Sequence, residues 1–182
     1  MTSYELLEAA LSYASQGIEV VPLWPKGKVP LDFCNHSPTT DTEIIKRWWK
    51  ICPTANIGIP TGTTHNSLIV LDLDVSCGIN GEKTLTSICQ KNSIHLPDTS
   101  IVRTGSTGFH LYFKNSQRII VRGGKNLAPG VDVRAEGAHV VAPPSIHKNG
   151  NQYYWLRGGI DRLTPADENL YKLLHILECN KL

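Results

Sequence analysis

An α+β domain is what this 182-residue sequence predicts, and three observations carry the prediction. Apolar residues recur at helical spacing near both ends, short strand-like runs crowd the middle, and Gly and Pro punctuate the segments between them. A hydrophobic content of 41% suits one globular domain, or one domain built from two small modules.

Leu6, Leu7, Ala10, Leu11 and Ala14 mark the first helix, and Gly17 stands where a left-handed C-terminal cap belongs. Residues 18–23 read as a strand, which Pro25, Gly27 and Pro30 turn into a loop. Thr40 or Asp41 caps a second helix through Ile44, Ile45, Trp48 and Trp49, and Pro53 closes it. Residues 56–59 form a short strand and residues 67–75 a buried one, its apolar order nearly continuous. A helix is expected near residues 82–90. Strands follow around residues 99–103, 109–114, 131–134, 139–142 and 152–156. Thr164 as cap, with Pro165 at the first helical position, opens a last helix through Leu170, Leu173, Leu174 and Leu177.

The N-terminus is acidic and amphipathic and carries no signal peptide, and no apolar run approaches the ~20 residues a bilayer span needs. A cytoplasmic protein with no membrane partner is expected. Five cysteines fit reduced thiols. Cys34 with His36, or Cys77 and Cys89 with His95, lack the paired spacing of a structural zinc site. The net charge of +2 leaves a nucleic-acid partner open and implies weak or local template binding.

Three features carry chemistry. Asp72 and Asp74 end the apolar strand two residues apart, so they share a face, and a divalent metal is the usual remedy for their repulsion. Two aspartates turning into solvent is the plain alternative. The turn Gly105-Ser106-Thr107-Gly108 then delivers His110 into a strand, with backbone N–H groups suited to phosphate. Taken alone, these residues read more simply as an ordinary β-turn with a satisfied histidine. Finally, Asp132 and Arg134 share a strand face, as a structural ion pair or as parts of a site. Together the features supply what nucleotidyl transfer requires: carboxylates for two metals roughly 3.5–4 Å apart, and a cradle for the leaving phosphates.

In order and wording these motifs resemble the bifunctional primase-polymerase domain of plasmid and phage replication proteins, in the archaeo-eukaryotic primase superfamily. The signposts include Val21-Pro22-Leu23-Trp24-Pro25, Asn56-Ile57-Gly58-Ile59-Pro60-Thr61-Gly62, Val70-Leu71-Asp72-Leu73-Asp74, Gly108-Phe109-His110-Leu111-Tyr112-Phe113, Pro129-Gly130-Val131-Asp132-Val133-Arg134 and Val140-Val141-Ala142-Pro143-Pro144-Ser145. The resemblance runs from about Tyr4 to Gly158. It implies a two-module fold, an N-terminal αβ module plus one like an RNA-recognition motif, with the active site between the sheets. By the same resemblance Asp72, Asp74 and Asp132 hold Mg²⁺ or Mn²⁺, and His110 contacts the triphosphate. Ser106, Gly108, Arg134, Ser145, His147 and Lys28 would line the nucleotide site, whereas Trp24, Trp48 and Trp49 would be framework.

The expected partners are a DNA template and primer strand, dNTP or NTP, and a helicase domain or subunit. The catalytic domain is expected over residues 1–160, with residues 161–182 as a helix leading onward. The chain departs from the family pattern in having Thr107-Gly108 where two glycines are common. It also lacks a convincing zinc-bearing stem, and it has no P-loop. The rivals are a non-catalytic relative that binds single strands through Arg118, Arg122 and Lys125 with Tyr112 and Tyr153, and a haloacid-dehalogenase-type phosphatase.

Overall fold

The computed structural model describes residues 3–35, 37–76 and 78–179. The chain runs through α1 (Ser3–Ser15), β1 (Val21–Leu23), α2 (Thr42–Ile51), β2 (Asn56–Pro60), β3 (Leu68–Leu73), β4 (Val75–Ser76) and β5 (Ile79–Asn80). It continues through α3 (Gly81–Lys91), β6 (Ser100–Arg103), β7 (Phe109–Lys114), β8 (Gly124–Ala128) and β9 (Val131–Arg134). The last elements are β10 (His139–Ala142), β11 (Tyr154–Arg157), β12 (Thr164–Pro165) and α4 (Glu168–Cys179). This is an α+β arrangement with largely antiparallel sheets.

The main sheet runs β11-β6-β7-β3-β9-β8, and a three-stranded sheet runs β1-β2-β10. Strand alternation sorts the central strand onto two cores. Leu68 and Val70 join Tyr112, Ile57, Ile59 and the buried faces of α1 and α2, including Ala10, Ile45, Trp48 and Trp49. Ile69, Leu71 and Leu73 point the other way, into a core closed by Leu85 of α3 and by Leu170, Leu173, Leu174 and Leu177 of α4. A fully buried leucine contributes about 1.5–3 kcal/mol, so four on one helix anchor α4 firmly to the sheet.

Local signals account for most boundaries. Gly17 adopts φ +77° just past α1. Asp41 caps α2, accepting from the N–H groups of Glu43 and Ile44. The last helix is a correction: Thr164 and Pro165 do not open it but form β12, parallel to Phe113 and Lys114 of β7. Strand β6 begins at Ser100 opposite Tyr112, which leaves the edge of β7 beyond Tyr112 free for them. Asp167 is the residue that caps α4, accepting from Leu170 N–H at 2.9 Å. Trp24 also corrects its expectation as framework, being 51% exposed, whereas Trp48 and Trp49 are buried.

Candidate active site

Strand β3 lies between two antiparallel neighbours, and its register sets Asp72 directly opposite His110 of β7 and Asp132 of β9. Directly opposed residues share a sheet face, so His110, Asp72 and Asp132 form one row across three strands. Val70 is opposite both Tyr112 and Arg134, which puts Arg134 in the adjoining row on the same face. All three residues of the first row are at least nine-tenths buried.

Buried charge requires a partner, and here the partners are shared. The Nη2 of Arg134 donates to Asp72 Oδ2 at 3.1 Å and to Asp132 Oδ2 at 2.6 Å. The second oxygen of Asp132 accepts from Asn126 N–H at 2.7 Å, and Asp72 Oδ1 lies 3.4 Å from His110 Nε2. Burial pushes the Asp72 carboxyl upward, but His110 and Arg134 outweigh it and hold the group well below the usual carboxylate range.

Asp74, one residue past the strand end, is exposed. Burial of part of the group, then the charges of Asp72 and Asp132, raise its pKa, against the opposing pull of Lys28 and Arg134. A raised carboxyl means that ionising Asp74 costs native stability as pH climbs through and above the ordinary carboxylate range. Asp74→Asn should therefore raise Tm at pH 7 by about 1–3 °C in metal-free buffer, and the gain should vanish in acid. Thermal scans at the two pH values check this.

The metal that the acids suggest fits the donor chemistry. Three carboxylates are hard oxygen donors of the kind Mg²⁺ and Mn²⁺ prefer, and the Arg134 nitrogen between Asp72 and Asp132 already occupies a cation's place. In this arrangement, among the described residues, no three His, Cys, Asp or Glu side chains converge on one metal position. Of the cysteine and histidine positions, His36 and Cys77 lie outside the described residues. Cys34 is buried with its thiol directed at the Leu31 carbonyl.

The remaining expected residues divide. Lys28 reaches the mouth of a cleft of about 460 Å³ whose walls include Asp72, His110 and Arg134. His147 packs edge-on to Tyr153 at 6.2 Å between ring centres, and Tyr153 in turn lies 6.1 Å from His110. Ser106 sits in the turn before β7, its hydroxyl 3.2 Å from that of Thr104. In that turn the left-handed conformation falls on Thr107, φ +73°. Gly108 is needed instead for close approach, since a Cβ there would lie 2.3 Å from the Leu73 carbonyl oxygen. Ser145 is fully buried away from the cleft, and its hydroxyl accepts from Ile57 N–H at 2.8 Å.

Lys125, His139 and Tyr153 also line the cleft. Lys125 and Tyr153 had a sequence signal only as a basic and an aromatic residue, and His139 had none. His139 Nε2 binds the Lys28 carbonyl at 2.7 Å and so steadies the loop that carries Lys28. Burial, with help from Asp72 and Asp74, pushes the Tyr153 phenol up to about 12, so it stays a neutral hydroxyl.

Two comparisons bear on the site. The family model for the bifunctional DNA primase/polymerase N-terminal domain matches residues 10–169, a span that contains every cleft residue named above. A search of curated proteins gives no match.

Proposed function

The chain belongs to the bifunctional DNA primase/polymerase N-terminal family, and from that premise we propose that it is a template-dependent nucleotidyltransferase acting at the Asp72 cleft. The observation that carries the reading is the row His110–Asp72–Asp132 on adjacent strands, with Asp74 at the strand end and basic groups at the cleft mouth. The reaction joins a primer 3′-hydroxyl to the α phosphorus of a nucleoside triphosphate and releases pyrophosphate.

Mg²⁺ or Mn²⁺, two ions in our reading, would be held by Asp72, Asp74 and Asp132 and would supply charge neutralisation at the transferring phosphoryl group. The protein's own groups do the rest. His110 binds the leaving phosphates, and the turn ahead of it adds backbone donors: no described residue accepts from Ser106 N–H. Arg134, whose side chain is 22% exposed, pairs with the acids at rest and can pass to a phosphate oxygen. Lys28 and Lys125 add positive charge at the mouth, which draws the triphosphate in. Tyr153 packs beside the His110 ring, and His147 backs Tyr153 in turn.

The wider reading follows the family. Residues 1–160 form the catalytic part, as an N-terminal αβ module and a module like an RNA-recognition motif. Residues 161–182, whose β12 and α4 pack on the same sheet, would carry the chain on toward a helicase domain or subunit. Replication of a plasmid, phage or other mobile element is the fitting context. Template-dependent extension of a labelled primer, run with Mg²⁺, with Mn²⁺ and with EDTA, tests the activity. We expect product with at least one metal and none with EDTA; oligonucleotide binding without extension under either metal would support a non-catalytic binding module instead.

A further inference from the structure

Trp24 stands apart from the other three tryptophans. Trp48 and Trp49 are buried and Trp155 packs against a core, while Trp24 is 51% exposed and its neighbour across the turn, Val29, is 62% exposed. Exposure here does not come from a slack loop. Trp24 N–H donates to the Val29 carbonyl at 2.9 Å, Gly27 N–H returns to the Trp24 carbonyl at 2.8 Å, and Leu23 bridges Pro30. Two further contacts pin the turn from outside: Asn56 Nδ2 donates to the Gly27 carbonyl at 3.0 Å, and His139 binds that of Lys28. Lys26 holds a left-handed φ of +57°. The chain thus fixes a tight turn whose tip buries nothing apolar.

Its chemistry points outward. Residues 24–31 include Lys26 and Lys28 and no acid. Lys28 and Val29 line the same cleft as Asp72, and Lys125 lines it too. A rigid aromatic face beside lysines, continuous with a cleft for phosphates, matches what a single strand needs, since every base has a face to stack and every linkage a charge.

We propose that the turn from Trp24 to Val29 is a docking platform for single-stranded polynucleotide at the cleft mouth. Trp24 stacks on a base, and Lys26 and Lys28 meet the flanking phosphates. The proposal rests on the polymerase reading for its orientation toward the cleft, but its test does not use catalysis.

The full chain is titrated with a fluorescent oligothymidylate, in EDTA and at low salt so that weak contacts register. Trp24→Ala should weaken binding about fivefold or more, and Trp24→Phe should recover most of it. Added oligothymidylate should quench tryptophan emission in the wild type and far less in Trp24→Phe, where only the other three report. A duplex of the same length should bind the wild type and Trp24→Ala alike. Equal oligothymidylate affinity for wild type and Trp24→Ala, or no binding by the wild type, overturns the platform. The extension reading stands or falls separately, on the Asp72 variant in the polymerase assay.

Discussion

Asp72→Asn is expected to lower primer extension at least about 1,000-fold, a loss of about 4 kcal/mol in transition-state stabilisation. The fold should survive it. Asparagine keeps the shape and one acceptor oxygen for Arg134, and Arg134 retains Asp132 at 2.6 Å. A cost of about 1–2 kcal/mol, or a Tm fall of about 2–8 °C, is the scale for a weakened charge-assisted bond. Protonation offers no rival account, because His110 and Arg134 hold the native carboxyl ionised at any working pH. Rate and Tm measured on the same preparation decide the matter. Extension near the wild-type rate would falsify the placement of the acid at the reacting centre.

The second large effect is structural. Gly108→Ala puts a Cβ 2.3 Å from the Leu73 carbonyl oxygen and 3.2 Å from Thr104 Oγ1. Backbone cannot step aside as a flexible side chain can, so β7 must part from β3 at the end that carries Asp72 and Asp74. We expect a cost of about 3 kcal/mol and a Tm lower by about 6–12 °C. Where the variant remains folded, extension should fall about tenfold or more, because a small displacement of reacting groups is costly. Gly137→Ala is the control. Its φ of +70° is strained for alanine, yet nothing lies within 4 Å of the added carbon, so about 1 kcal/mol is the expected cost. Equal losses in the two variants would mean that the close contact with Leu73 does not govern this turn.

Much of this arrangement was legible because it depends on local rules. Strand alternation alone set Asp132 with Arg134, while Asp74 falls one residue beyond β3, where alternation no longer holds; the bounds of β7, β9 and β10 follow from apolar order between turns. That His110, Asp72 and Asp132 stand in one row depends on the strand order β7-β3-β9, which no local pattern encodes. Strand β8 was missed because Gly124-Lys125-Asn126-Leu127-Ala128 has no β-branched residue; its Asn126 N–H bonds the side chain of Asp132 instead. Thr164-Pro165 carried a sound capping signal, but the open edge of β7 took both residues. Trp24 misled because an aromatic residue beside a strand looks like core until the turn is known. Ser145 had a motif's company without its location: its hydroxyl ties the loop after β10 to Ile57 of β2.

The row across three strands also acts as a ruler. Adjacent strands lie about 4.8 Å apart in any sheet, so the backbones that carry His110, Asp72 and Asp132 are spaced by hydrogen-bond geometry rather than by the lengths of loops. Apart from the Gly108 contact with Leu73, the surrounding turns can lengthen, shorten or change composition without altering that spacing. A slip of one residue in either neighbour would instead send its side chain to the opposite core. The acids' separation is therefore governed by pairing register and by the Gly108 contact, and drift in the other loops should alter what reaches the acids long before it alters that separation.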